Sequence, residues 1–291
     1  MKPSKTKKTK TIPPVNQLET IEDRFKLREY CKQNNIITPD YFASDDFSKI
    51  SQWAMKKNSF PLCIKSTQNL AHNHLIYILK AYRELPEFFE NIQTKTNNGK
   101  VLIEEFIEGK AYLEVTLLNS QIKLISQICL SKTMKLQQKW RAFPVKLPQN
   151  IIEKIDAIIK HFDKLIESAS NPIRFSFVVK NSEPVLLSIN SDDDRLEYKD
   201  EWREQGKLEP LSSAQYPPNS SLINKINIYN NIKDHNLDFS SAAKVCSDSK
   251  VKYELIKNKL YFMLTSNNPK SLTEDFEKAN AVIKQIIDSN Q

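Results

Sequence analysis

Glycine is nearly absent from this chain, with only 3 glycines among 291 residues. Loops that wrap their backbone N–H groups around a phosphate normally need several glycines, because side chains would crowd the anion. The shortage therefore argues against a glycine-rich phosphate loop. It also draws attention to Gly109, which we expect where the backbone needs a positive φ or a close approach to another segment.

Cysteine is also scarce, and the four cysteines are scattered without a CxxC pair. Cys31, Cys63 and Cys129 lie in or beside apolar stretches, which favours buried thiols in a reducing compartment over disulfides or a metal site. No run approaches the roughly 18 apolar residues of a membrane span, and the N-terminus lacks the apolar core of a secretory signal. These absences predict a cytoplasmic protein with no membrane contact.

Positive charge is concentrated at the N-terminus, where five lysines fall in the first ten residues of a chain with net charge +8. We expect residues 1–19 to form a disordered basic leader. A second basic stretch, predicted to be irregular, covers residues 131–148 and contains Lys132, Lys135, Lys139, Arg141 and Lys146. The lysine-rich tail could bind nucleic acid or acidic surfaces by electrostatic attraction, and the second basic segment could contribute to the same binding.

Hydrophobic periodicity predicts helices and short strands over residues 20–107. We expect a helix near Ile21–Asn34, and a second helix that Asp45 or Asp46 caps and that ends near Lys57. A short apolar strand should follow at Phe60–Lys65. Helical spacing of Leu75, Ile78, Leu79 and Tyr82 predicts a further helix over residues 75–89.

The chain is organised around the stretch from Val101 to Leu118. An apolar run ends in two carboxylates, a short segment with one glycine follows, and alternation resumes at Tyr112. This pattern predicts a strand, a hinge and a second strand.

The next segment, residues 108–195, is predicted to combine strands with a helix. It should contain a strand at 121–129, a helix over 151–166 opened by a capping box of Asn150 and Glu153, and a hairpin of strands 174–180 and 184–190. Residues 191–220 are rich in charge, Ser and Pro, and we interpret 196–250 as a linker or wrapping segment. A C-terminal hairpin–helix element over 251–291 should have its helix opened by Ser271 and Glu274.

These elements describe an α+β protein with β-strands, flanking helices and a small C-terminal hairpin–helix. Their order, with Thr-Pro after the first helix, a strand ending in lysine and then VLIEEFIEG, resembles the ATP-grasp family of carboxylate–amine ligases. The resemblance covers about residues 20–195, with weaker similarity over 250–291, and implies two β-rich lobes at 20–107 and 108–195. It implies that ATP binds between the lobes and that Mg²⁺ assists phosphoryl transfer to a small-molecule carboxylate, forming an acylphosphate that an amine attacks.

Family members usually carry an N-terminal α/β domain ahead of this point, where this chain has the lysine-rich leader. A protein partner would then supply the missing substrate-binding part.

The resemblance implies a role for each matching residue. Arg174 matches the arginine that stabilises the transferring phosphoryl group, and Asn190 matches a metal ligand. Lys65 matches the phosphate-binding lysine, Glu104 the acid that faces the adenine amino group, and the hinge backbone pairs with the ring. The nucleotide-binding residues implied are Lys65, Glu104, Glu105, Phe106 and Ile107.

Several positions depart from the family pattern. Ala111 replaces the acid that accepts the ribose hydroxyls, and Glu114 lies three residues away on the opposite face of a strand. Ser176 and Ser188 replace two metal-binding acids, and Asp192–Asp194 offer a displaced carboxylate. Residues 66–74 contain no glycine but do contain His72 and His74, which could contact phosphate or be solvated.

Three hypotheses follow from these changes. The first in rank is a degenerate ATP-grasp fold that acts by binding a partner or a nucleotide, holds Mg²⁺ poorly and has weak or no catalysis. The second is an active, divergent ATP-dependent ligase. The third is a binder of nucleic acid or acidic surfaces through the basic leader.

Overall fold

The computed structural model describes twelve stretches of the chain, and every structural statement below refers to them: residues 23–68, 75–109, 111–118, 121–132, 136–143, 145, 147–168, 173–191, 223–230, 232, 237–256 and 259–290. The residues of the predicted basic leader, His72 and His74, and Asp192–Asp194 lie outside these stretches. Within them, no helix combines the length and apolar character that a membrane crossing requires.

The first lobe contains a four-stranded antiparallel sheet. Its strands are β1 (Tyr41–Ser44), β2 (Leu62–Ser66), β3 (Ile76–Leu79) and β4 (Val101–Glu105), in the order β1-β4-β2-β3. The helices of this part of the chain are α1 (Arg24–Gln33), α2 (Phe47–Lys57) and α3 (Leu85–Gln93), with a 3₁₀ turn at Tyr82–Glu84.

The second lobe contains an eight-stranded antiparallel sheet in the order β11-β12-β10-β7-β6-β5-β8-β9. Its strands are β5 (Ala111–Leu118), β6 (Gln121–Lys132), β7 (Leu136–Phe143), β8 (Ile173–Lys180), β9 (Glu183–Ser191), β10 (Ile223–Asn230), β11 (Lys250–Ile256) and β12 (Lys259–Ser266). Its helices are α4 (Gln149–Lys160), α5 (Asp163–Ser168), α6 (Ser240–Lys244) and α7 (Pro269–Asp288).

Local sequence signals explain several of these boundaries. Asp46 caps α2, because its carboxylate accepts a hydrogen bond from the Ser48 N–H. Asn181 and Ser182 both have positive φ values, 52° and 61°, as a two-residue hairpin turn between twisted strands requires. The predicted helix at 21–34, the strand at 60–65, the strand–hinge–strand over 101–118 and both predicted hairpins are confirmed.

Gly109 lies where two backbone segments approach closely. A Cβ atom at this position would lie 2.4 Å from Val178 Cγ2 and 2.6 Å from the Val179 carbonyl oxygen. Close approach, rather than a positive φ, therefore accounts for this glycine.

The predicted helix over residues 75–89 is wrong in its first half. Residues Ile76–Leu79 form β3, which pairs with β2, and the helix begins only at Leu85. Leu75, Tyr77 and Leu79 belong to the first-lobe core, and Ile78 is also buried. A short, continuously apolar segment satisfies helical spacing by coincidence, and pairing with β2 decides the outcome.

The expected irregular segment over 131–148 is also wrong, because residues 136–143 form β7 in the middle of the large sheet. This strand pairs with β6 on one side and β10 on the other. Its many Gln, Lys and Arg residues concealed the strand from the hydrophobic pattern.

Two predicted capping boxes do not start their helices. Pro148 precedes α4 without a side-chain cap, and the chain turns at His161 before α5, so the helix over 151–166 is two helices. Asn268, three residues before Ser271, caps α7 through the N–H groups of Lys270 and Ser271.

The segment 196–250 contains more regular structure than a linker would. Strand β10 lies between β7 and β12 in the sheet. The C-terminal strands β11 and β12 therefore extend the second-lobe sheet, and the rest of their core comes from α6 and α7.

Helix α1 joins the two lobes, although it precedes the first-lobe sheet in the chain. Leu27 and Cys31 are buried in the core that β5, β8, β9, α4 and α5 form. Arg24 and Arg28 lie on the same face of α1 as these two residues, since positions 24, 27, 28 and 31 follow i, i+3, i+4 and i+7 spacing. All four are buried, and the two arginines reach the first-lobe strands. One buried face of the helix therefore contacts both lobes.

Candidate functional site

A buried cluster of charges lies where α1, β2 and β4 meet. Arg28 donates to Glu104 through Nε (3.0 Å to Oε1) and Nη2 (2.8 Å to Oε1 and 3.1 Å to Oε2). Lys65 Nζ lies 2.8 Å from Glu104 Oε2. Arg28 is 0% exposed, Lys65 6% and Glu104 2%. Two cations therefore share one carboxylate away from water.

Strand geometry brings Lys65 and Glu104 together. Strands β2 and β4 are antiparallel neighbours, with Cys63 opposite Glu104 and Lys65 opposite Leu102. Lys65 and Glu104 are therefore diagonal neighbours on one face of the sheet, within reach of a long side chain. The resemblance paired these two residues with different parts of a nucleotide, and the fold places them in direct contact.

Glu104 already uses its full capacity as an acceptor. An ionised carboxylate has about four acceptor positions, and Arg28 and Lys65 make four contacts with its two oxygens. Burial raises the pKa of Glu104, but the neighbouring cations together outweigh burial and hold the pKa below its ordinary value. An adenine amino group could bind this carboxylate only by displacing one of the present donors.

Lys65 is held as a desolvated cation. Burial lowers the pKa of Lys65, and the Glu104 charge opposes this effect. Its ammonium group carries three N–H donors, and Glu104 is its polar partner among the described side chains. The lysine therefore retains donors for a further acceptor.

The end of β2 is fixed from two sides. Arg24 Nη1 donates to the carbonyls of Ser66 (2.9 Å) and Gln68 (2.7 Å), and the Arg24 N–H donates to Thr67 O. On the other side, Asn98 Nδ2 donates to Thr67 Oγ1 at 3.1 Å. The loop that the resemblance aligns with a phosphate loop thus leaves β2 from a rigid base.

The hinge follows directly from β4 and is anchored on the second lobe. The Ile107 side chain packs against Val178 and Val185, and its carbonyl accepts a hydrogen bond from the Tyr112 hydroxyl at 3.0 Å. Within the described stretches, the backbone N–H groups of Phe106 and Ile107 donate to no protein acceptor. Two backbone donors therefore remain at the point where the chain crosses between lobes.

Glu105 is not brought to the charge cluster. Successive strand residues point to opposite faces, and Glu105 lies 3.5 Å from Lys180 Nζ, with both side chains partly exposed. Its predicted contact with a nucleotide stays a prediction that the observed position does not favour.

A second polar cluster lies on the face of the large sheet opposite its apolar core. Arg174 is opposite Asn190 across β8 and β9, and Ser176 is opposite both Ser188 and Glu114. Arg174, Asn190 and Glu114 are 3%, 8% and 3% exposed. The fold therefore gathers the residues that the resemblance assigned to phosphoryl transfer and metal binding.

The residues of this face do not fit Mg²⁺. The neutral Ser176 and Ser188 stand where the family has two acids. The Glu114 carboxylate, which belongs to the described part of this face, lies 3.6 Å from Arg174 Nε. Mg²⁺ prefers several oxygen ligands that include carboxylates. In the part of the chain that the structure describes, no group of three His, Cys, Asp or Glu residues could hold a metal ion.

Sequence reasoning missed Arg28 and gave Glu114 no role. One available signal was that Arg24 and Arg28 occur at helical spacing with the apolar residues Leu27 and Cys31, which predicts that the arginines are buried with them. Arginine is rarely buried without a partner, so the same spacing predicts a buried partner for each. Glu114 alternates with Leu113 and Val115, which placed it on the polar face with Ser176. Its partner Arg174 could not be read from the alternation alone.

Comparison with solved structures identifies the fold. N5-carboxyaminoimidazole ribonucleotide synthetase (purK, ADP complex) gives a TM-score of 0.64 with 13% identity, covering 94% of this chain and 73% of that chain. The same enzyme from Thermus thermophilus gives 0.63 with 12% identity, covering 93% and 74%. An L-amino acid ligase from Bacillus licheniformis gives 0.62 with 12% identity, covering 91% and 71%.

No protein-family model and no curated protein matches the sequence. The structural neighbours are ATP-grasp ligases, and the chain has the ATP-grasp fold that the sequence resemblance implied. At these low identities the comparison defines the fold of the chain and leaves its chemistry to the residues of the site.

Proposed function

We propose that this protein binds an adenine nucleotide between its lobes and has weak or no ligase activity. The observation that carries the proposal is the buried cluster in which Arg28 and Lys65 share the single carboxylate of Glu104. The cluster has an excess positive charge, and a nucleotide phosphate would supply the missing anion. Charges removed from water interact more strongly than exposed charges.

Lys65 is the residue best placed to bind that phosphate. It lies at the end of β2, directly before the loop that the resemblance aligns with a phosphate loop, and Glu104 orients its ammonium group at 2.8 Å. A compact ammonium on a flexible stem suits a phosphate oxygen.

The hinge provides the second part of the proposed site. The N–H groups of Phe106 and Ile107 have no acceptor in the described protein, and an adenine ring offers acceptor nitrogens at its edge. Unsatisfied backbone donors are costly when buried, so a bound ring would satisfy groups that the fold leaves open.

The polar face of the second-lobe sheet supports the proposal that catalysis is weak or absent. Ser176 and Ser188 are neutral, and the Glu114 carboxylate lies 3.6 Å from Arg174 Nε. The proposal therefore predicts nucleotide binding that does not need Mg²⁺. An active ligase acting on a small-molecule carboxylate is the alternative, and it would require an acid from outside the described residues, such as Asp192–Asp194.

Calorimetric titration of ADP into the protein tests the proposal. Lys65→Met keeps the stem of the side chain but removes the charge, and Lys56→Met is a matched control at an exposed lysine of α2. A hydrogen bond to a charged group contributes about 1.5–3 kcal/mol, so we expect Lys65→Met to weaken ADP binding by about 10–150-fold. Lys56→Met should bind as the wild type does.

Two outcomes would count against the proposal. If the wild type releases no heat with ADP or ATP, the nucleotide site is absent. If Lys65→Met and Lys56→Met bind ADP equally well, binding occurs away from the cluster.

A further inference from the structure

Arg28 touches both lobes through one guanidinium group. Its Nε and Nη2 atoms bind Glu104 on the first-lobe strand β4, and Nη2 also donates to the Leu187 carbonyl on the second-lobe strand β9 at 2.7 Å. The side chain is fully buried. One planar group therefore links the charge cluster to the strand that carries Asn190.

The Leu187 carbonyl is available because β9 is irregular at this point. The pairing of β8 with β9 shifts between Ser176, opposite Ser188, and Phe177, opposite Leu186. Leu187 is thus the extra residue of a β-bulge, and a bulge takes one residue out of the regular hydrogen-bond ladder. Strand β9 is also an edge strand of the sheet. Among the described residues, its outer side has no neighbouring strand in this sheet and instead faces α1 and residue 37.

The guanidinium shape matters for this link. Arginine presents its donors in a rigid planar fork, whereas lysine carries a compact point charge. A lysine at position 28 could keep an ion pair with Glu104, but it would not hold Glu104 and the Leu187 carbonyl in a fixed relative position.

We propose that Arg28 is a positioning residue of the nucleotide site, which fixes Glu104, and through Glu104 the ammonium group of Lys65, relative to strand β9. This inference rests on the proposed nucleotide binding. It goes beyond that function by assigning the alignment of the two halves of the site to a residue outside both sheets. Arg28 does not touch the reacting phosphate in this role.

The test compares Arg28→Lys with the wild type and with Tyr30→Phe. Tyr30 lies on the same helix and also reaches the second lobe, because its hydroxyl donates to His161 O at 2.7 Å, but it has no contact with the cluster. We expect Arg28→Lys to weaken ADP binding at least tenfold and Tyr30→Phe to change it less than twofold. An unchanged affinity in Arg28→Lys would overturn the proposal.

Chemical rescue distinguishes positioning from a general loss of packing. In Arg28→Ala, guanidinium at low millimolar concentration should restore ADP binding, and the same concentration of sodium chloride should not. A variant whose loss of binding is insensitive to guanidinium would indicate that Arg28 only supports the fold.

Hydrogen exchange without nucleotide separates this proposal from the proposed function. We expect Arg28→Lys to increase amide exchange in residues 184–191 at least tenfold and to leave α3 unchanged. If the wild-type protein binds no nucleotide, the proposed function is refuted. The amide exchange rate in residues 184–191 then decides by itself whether Arg28 links β9 to Glu104. If Arg28→Lys and the wild type exchange at the same rate in this segment, the link through Arg28 is refuted.

Discussion

Glu104→Gln is a small change of side chain that should greatly reduce the stability of this protein. The amide keeps the shape of the side chain but removes the only anion that Arg28 and Lys65 share. It also replaces one acceptor oxygen with an NH₂ group that must face a cation. Removing one partner of a buried ion pair typically costs about 3–5 kcal/mol, because the remaining charge is left uncompensated.

The four contacts at Glu104 place this substitution at the upper part of that range. Such a loss is large against the total stability of a typical domain, about 5–15 kcal/mol. Urea unfolding at pH 7 measures it directly. Glu105→Gln is the matched control, because Glu105 is the next residue, is partly exposed and lies 3.5 Å from Lys180; exposed pairs contribute at most about 1 kcal/mol.

The cost of Glu104→Gln should also depend on pH. The pKa of Glu104 is held below its ordinary value of 4.5 in the folded protein. The stabilisation by the carboxylate is therefore fully present above about pH 4.5 and is lost as the pH falls through the folded pKa. A cost at pH 7 no larger than that of Glu105→Gln, or one that does not shrink in acid, would refute the reasoning about this cluster.

Two further predictions concern other parts of the fold. The Asp275 carboxylate accepts hydrogen bonds from the N–H groups of Ser247, Asp248 and Ser249 and from the Ser247 hydroxyl, and although burial opposes ionisation these bonds lower its pKa to about 2. Asp275→Asn should cost about 2 kcal/mol at pH 7, and the difference should close between about pH 4 and pH 2 in urea titrations; a pH-independent difference would contradict this. Gly109→Ala should lower the free energy of unfolding by about 1–3 kcal/mol, because its Cβ would meet Val178 and the Val179 carbonyl. If thermal unfolding shows this variant to be as stable as the wild type, the hinge can move away from β8.

The sequence predicted best those elements whose signals are local. The turn at Asn181–Ser182, the cap at Asp46 and the strand–hinge–strand around Gly109 each depend on neighbours in the chain. Strand β3 was mistaken for a helix because its apolar run fits both periods, and β7 was missed because its polar residues leave no alternation. Both strands are specified by pairing with distant partners, which single-sequence patterns do not contain.

The site divides in the same way. Lys65 and Glu104 could be named from the order of elements, since each lies at a strand end. That they contact each other depends on the register of β2 against β4, and that Arg28 joins them depends on how α1 packs against the second lobe. The resemblance therefore named residues of the site but gave Glu104 a ligand that the structure replaces with two protein cations.

The most direct test of the account is the dependence of ATP binding and turnover on Mg²⁺. We predict that ATP binds the wild type with the same affinity, within a few-fold, in EDTA and in excess Mg²⁺, and that no ADP accumulates in either condition. The phosphate would then be held by Lys65 in a site without a competent metal position. ATP binding that appears only with Mg²⁺, together with steady release of ADP, would contradict the account and establish Mg²⁺-dependent phosphoryl transfer from ATP.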